Sequence, residues 1–155
     1  MDRREEHRRE IHVAPDHFEV TAQDAILITE LTSAVAVCMY DAAEEAGALL
    51  HLRCIVKACK PADVTDTTLA TELLLLDRCL EALRAAAPAA RHLQARIVAH
   101  LAESDHARPV CETIMTVVQH YLADAGVQVL PEDVAGGPAR TLRFRPGMGW
   151  VHTRA

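Results

Sequence analysis

Two apolar runs, 31–40 and 47–52, flank a short polar segment, and the rest of the chain is arranged around them. The first run carries β-branched residues, the second is mainly aliphatic, and the segment between them is polar, which is the pattern of a β-hairpin. With the loop at 41–44, Tyr40 is expected opposite Glu45, Val37 opposite Ala48 and Ala34 opposite His51. Directly opposed residues carry Cβ atoms roughly 4.5–5.5 Å apart. The hairpin is therefore expected to set the His51 imidazole beside the bare methyl of Ala34.

The same periodicities place the other elements. Phe18–Val20 and Ala25–Ile28 read as short strands feeding the hairpin. Lys57 to Thr65 is a loop punctuated by Pro61, and Thr65 or Asp66 caps a helix running to about Ala87. Its apolar residues Leu69, Leu73, Leu76, Leu80 and Leu83 recur at three- and four-residue steps, one helix face, and Pro88 ends it. Gln94–Leu101 reads as a strand. A second helix follows with Pro109 in its first turn and a buried stripe of Val110, Ile114, Val117, Val118, Tyr121, Leu122 and Ala125. Gly126 sits where a C-cap glycine belongs. Val127–Leu130 is a strand and Gly136-Gly137-Pro138 a turn. Thr141–Arg145 and Trp150–Thr153 close a hairpin around Pro146-Gly147. The order is strands, helix, strand, helix, strands: an α+β layered domain with two main helices. Residues 1–15 are expected to be a charged, flexible tail and 16–155 the domain.

Composition narrows the function classes. Only 3% of the residues are aromatic, so the core must be built from Leu, Val, Ile and Ala. A formal charge of −6 lacks the basic footprint that a nucleic-acid surface requires. No apolar run approaches the roughly 20 residues of a membrane span, and the charged N-terminus has no apolar segment of a secretory signal. Five cysteines at irregular spacings then suit reduced thiols in the cytoplasm. His51, Cys54 and Cys59 have superficially metal-like spacing, but residues 51 and 54 of one strand face opposite sides, so no metal site is expected. No cofactor is implied either.

The hairpin also resembles a known family, the CheD chemoreceptor glutamine deamidases. Their signature reads Leu-Gly-Ser-Cys-Val-Ala-Val, then a strand ending in Asp, then Gly-Gly/Ala-x-x-His, with Cys and His as the catalytic pair. Residues 31–37 of this chain are similar to the first block and Gly47-Ala48-Leu49-Leu50-His51 to the second, with the seventeen-residue step from nucleophile position to His kept. The segment 132–140 is similar to the family's Asp-x-Gly-Gly-x-x-x-Arg turn, with Arg140 at the family's distance from Asp133 and the glycine pair displaced by one. The resemblance spans about residues 18–154 and implies a CheD-like sandwich.

The nucleophile itself is absent: Ala34 stands where the family has Cys. Deamidation by a thiol needs a thiolate to attack the amide carbon and a base to form it. Removing the nucleophile of a serine-protease triad costs about a million-fold in turnover, and His51 alone is left as a vestigial catalytic residue. The family's Thr six positions before the Cys falls on Ile28, which leaves the adjacent Thr29 as the candidate third member. Thr32 replaces the family's Gly before Ser, Cys54-Ile55 its Leu-Pro, Ala99-His100 the Gly-Gly after the middle strand, and Pro109 the Asn that opens the second helix. Ser33 points away from the face of Ala34, while Thr32 and Cys38 share that face at roughly 7 to 13 Å along the strand.

The resemblance implies the helical cytoplasmic tails of chemoreceptors and a CheC-like phosphatase as partners. Thr32, Ser33, Arg140, Arg143 and Arg145 are the candidate binding residues, the three arginines being read as one face of a strand. The expected function is therefore a CheD-like chemotaxis protein that binds without deamidating. The alternatives are an active amidohydrolase with another nucleophile and a structural or oligomeric protein outside chemotaxis.

Overall fold

The computed structural model describes residues 9–54, 63–101, 108–131 and 133–154. Ten strands and two helices follow one another in the order β1 (Arg9–His12), β2 (Phe18–Thr21), β3 (Ala25–Leu31), β4 (Ala34–Asp41), β5 (Ala46–Arg53), α1 (Asp63–Ala86), β6 (Gln94–Leu101), α2 (Arg108–Asp124), β7 (Gln128–Val129), β8 (Asp133–Gly136), β9 (Arg140–Arg145) and β10 (Trp150–Arg154). A four-stranded sheet has the order β1-β3-β9-β10. A six-stranded sheet has the order β2-β5-β4-β6-β7, with β8 also paired to β6. The layers run helices, six-stranded sheet, four-stranded sheet, the α+β architecture expected from the element order.

Two apolar layers hold them together, and the central hairpin supplies both. Val35, Val37, Met39, Leu50 and Leu52 pack with Leu76, Leu80 and Leu83 of α1 and with Ile114, Val118 and Leu122 of α2. Ala34, Ala36, Cys38, Tyr40 and Leu49 pack on the other side with Leu27, Leu31, Leu142 and Phe144 of the four-stranded sheet. Every residue of β4 is buried, which is why both runs read as continuous rather than alternating. The helical stripes fall close to expectation. On α2 the fully buried positions are Cys111, Ile114, Met115, Val118 and Leu122, with Val110 and Tyr121 only partly buried. Gly126 ends that helix at φ 82°, and Val127 N–H returns to Leu122 O at 2.9 Å.

Four expectations are corrected. The hairpin turns at 42–45, not 41–44, so its register moves by two residues: His51 lies opposite Ala36, and Ala34 lies opposite Arg53. A two-residue slip preserves the face of every side chain, so Ala34 and His51 still share one face, as diagonal neighbours. The tail reading fails for residues 9–12, which form the edge strand β1, parallel to β3; residues 1–8 lie outside the described residues. Residues 133–136, within the stretch 132–140 read as a turn, form the strand β8. Finally, Cys54 and Cys111 are joined in a disulfide with Cα atoms 5.4 Å apart, against the expectation of reduced thiols throughout. Cys38 and Cys79 are free and buried, and Cys59 and residues 57–62 of the expected loop 57–65 lie outside the described residues, residues 63–65 belonging to α1.

Candidate functional site

The alternation of β3, β4, β5 and β6 brings the chemistry-bearing side chains into the layer between the two sheets. His51, on β5, is 1% exposed. Thr29, on β3 of the opposite sheet, reaches across to it, with Oγ1 2.7 Å from His51 Nδ1. The same hydroxyl donates to Val13 O at 2.8 Å. A carbonyl oxygen only accepts, and Thr29 has a single proton to give. Thr29 Oγ1 therefore accepts from His51 Nδ1–H, which fixes the tautomer and leaves Nε2 as the basic nitrogen. The sequence placed Thr29 one position away from the family's Thr; the structure brings it to His51 all the same.

Around His51 the backbone is clamped by the segment before β2. Asp16 adopts φ 59°, an uncommon conformation for a residue other than glycine. In it, Asp16 N–H donates to His51 O at 2.9 Å and His51 N–H donates to His17 O at 3.0 Å. The Asp16 carboxylate meanwhile accepts from Arg53 N–H at 3.1 Å and from Arg53 Nε at 2.7 Å. Burial is the largest influence on the imidazole and lowers its pKa below the ordinary histidine value. Asp16 pulls it back up and Arg53 pushes it down. His51 is thus held as a neutral base.

That direction has a consequence for stability. As pH falls, the unfolded chain protonates this imidazole first, near the ordinary value of about 6.5, so stability is lost below it until the folded value is reached. The urea midpoint is expected to drop between pH 8 and pH 5, and His51→Gln should flatten that pH dependence. An unchanged slope in the variant would place the acid sensitivity elsewhere.

Ala34 is wholly buried, and a residue not singled out as functional from the sequence stands directly opposite it: His100, on β6. His100 is 1% exposed and its Nδ1–H donates to Thr32 O at 2.9 Å, while its Nε2 has no hydrogen-bond partner among the described residues. Ala34 is therefore flanked by His100 on one strand and by Arg53, with His51 diagonal to it, on the other. The sequence signal was the departure from Gly-Gly at 99–100; nothing local showed that residue 100 faces residue 34.

The expected arginine face divides in two. Arg143 and Arg145 lie on the outer face of β9, where Arg143 pairs with Glu10 at 2.7 Å and Arg145 with Asp24 at 3.0 Å. Arg140 is an odd number of residues away, so it shares the inner face with Leu142 and Phe144. It pairs with Leu31 at the end of β3, and its Nε is buried without a hydrogen-bond partner among the described residues. Only Arg140 of the three is on the side of Ala34 and His51. Thr32 and Ser33 form the bend between β3 and β4, with Ser33 O accepting from Cys54 N–H at 2.9 Å. Among the described residues no cluster of three His, Cys, Asp or Glu side chains is arranged to hold a metal ion.

No protein-family model matches the chain. It is 27% identical over 142 residues to a probable chemoreceptor glutamine deamidase CheD of Rhizobium meliloti, an alignment that covers 91% of this chain and 77% of that protein. It is 23% identical over 145 residues to a probable chemoreceptor glutamine deamidase CheD 1 of Burkholderia thailandensis, covering 92% of this chain and 62% of that protein. The chain is CheD-like over about nine-tenths of its length. Among the described residues no helix is long and apolar enough to cross a membrane.

Proposed function

We propose that this CheD-like protein acts in chemotaxis by binding chemoreceptor cytoplasmic tails, and that it has lost cysteine-dependent deamidation. The observation that carries the reading is the pairing of Thr29 with His51 across the two sheets at 2.7 Å, on the same face as Ala34. The base and its orienting hydroxyl are present and the nucleophile position holds a methyl group. An imidazole with no thiol to deprotonate forms no thioester.

Nor does a neighbour take over. Cys38 shares the face of Ala34 but is fully buried, and burial drives its thiol far above the ordinary range, with Arg96 a smaller opposing influence. A thiol held protonated is neither nucleophile nor leaving-group activator. Ala34, His51 and His100 are themselves at most 1% exposed, so a glutamine side chain meets a closed surface there. Recognition then falls to the rim: Thr32, Ser33 and the inward-facing Arg140, with receptor tails as the first partner and a CheC-like phosphatase as the second.

The test titrates labelled glutamine-containing receptor-tail peptide at low and high salt while ammonia is followed. Binding without ammonia release is expected, weakening as ionic strength passes about 0.15 M, where the Debye length is near 8 Å. Arg140→Glu should weaken it, and Arg143→Glu, on the far face and already paired with Glu10, should not. Ammonia release by the unaltered chain, or no binding at either salt, would overturn the reading.

A further inference from the structure

The four-stranded sheet stops at β10. Among the described strands only β9 pairs with it, so among the described residues the N–H and C=O groups on the other side of Trp150–Arg154 have no strand partner. Exposed edges of this kind are usually blunted by proline, by a bulge or by inward-pointing charge. Trp150-Val151-His152-Thr153-Arg154 has none of these, and pairs with β9 in unbroken register. Instead it carries apolar surface: Trp150 is 42% exposed, and Met148, in the turn that leads into the strand, is 66% exposed.

We infer that β10 is the seam of a homodimer, in which two copies of this chain pair β10 with β10 antiparallel about a two-fold axis at His152. The argument is the self-complementarity of the strand. In that register Trp150 faces Arg154 of the second copy and Arg154 faces the second copy's Trp150, so each aromatic ring meets a guanidinium. Val151 faces Thr153 of the second copy, again twice. A two-fold interface must be complementary to itself, and this five-residue stretch is, with an aromatic at one end and a cation at the other.

Charge is balanced locally beside the seam. The arginines one strand in from the seam, Arg143 and Arg145, are each held by a carboxylate of their own chain, Glu10 and Asp24. Trp150 stacks on His152 with ring centroids 5.5 Å apart and planes 3° apart, which fixes the indole on the outer face of the strand. A groove of about 280 Å³ lies against the strand, lined by Val151, His152 and Thr153 together with Arg96, Val98 and Asp133. The dimer joins two four-stranded sheets into one continuous eight-stranded sheet and leaves Thr29, His51 and Ala34 outside the seam.

Sedimentation equilibrium of the full chain tests this. A seam of one short strand per copy belongs to the small, weak class of interfaces, so a Kd of about 10 µM is expected. Trp150→Ala and Arg154→Glu should each weaken association by at least about tenfold. The exchanged double variant, Trp150→Arg with Arg154→Trp, recreates both facing pairs and should regain it. His152→Cys places two thiols at the axis and should cross-link under mild oxidation far faster than Glu19→Cys on the other sheet, with far-ultraviolet circular dichroism confirming that each variant folds. A monomer through about 100 µM, a dimer indifferent to Arg154→Glu, or no preferential cross-link at position 152 would each overturn the inference.

Discussion

Ala34→Cys alone is expected to release no ammonia from glutamine-containing receptor peptides, whereas Ala34→Cys combined with His100→Gly releases it. The single substitution returns a thiol to a place that is wholly buried, with the His100 ring directly opposite and itself 1% exposed. A substrate amide cannot reach the near-attack distance of about 3–3.5 Å from a sulfur that the imidazole covers. Removing that ring opens the space while leaving the Thr29–His51 pair untouched, since His100 hydrogen-bonds to Thr32 O and not to either of them. Alkylation of the new thiol should accelerate by about a hundredfold between the single and the double variant. Adding His51→Ala to the double variant should abolish the ammonia release. Deamidation by Ala34→Cys alone would show that His100 does not close the site. Silence of the double variant with a reactive thiol would show that more than the nucleophile and access has been lost.

The second large effect is on stability. Gly47→Ala is expected to cost about 1–3 kcal/mol, read as a lowered urea midpoint at unchanged slope. A Cβ at residue 47 would stand 2.5 Å from Pro146 Cβ, 2.6 Å from Pro146 Cγ and 2.7 Å from Met39 O. A proline ring and a backbone carbonyl are poor at giving way, so β5 or the Pro146–Met148 turn must move. His51 lies four residues further along β5, and its 2.7 Å contact with Thr29 depends on where that strand sits. The glycine of the Gly-Ala-x-x-His block is thus a packing requirement between the central hairpin and the C-terminal one. A change below about 0.5 kcal/mol would mean the turn yields.

The C-terminal hairpin, the two helices and the Gly126 cap were legible because each carries a local signature of period, cap or turn. Two errors were avoidable from the sequence. Residues 140 and 143 are separated by an odd step, so on a strand they had to face opposite sides. The other was to assign Arg9–His12 wholly to a flexible tail. Its apolar Ile11 was visible, and as an edge strand it needs only that one contact with the inter-sheet layer.

The hairpin register is the more instructive miss. A slip of two residues keeps every side chain on its own face, so the apolar pattern cannot tell one pairing from the other, and the turn at 42–45 sets it. The sequence by itself determined the α+β order, the shared face of Ala34 and His51, and the presence of alanine at position 34, because each follows from local periodicity, parity or residue identity. Only the tertiary structure decided that Thr29 bonds to His51, that His100 stands opposite Ala34, that Arg140 parts from Arg143 and Arg145 onto the inner face, and that Cys54 meets Cys111. These are contacts between strands or elements far apart in the chain. They depend on sheet order and register, which the balance of packing across both faces sets and no short stretch of sequence encodes.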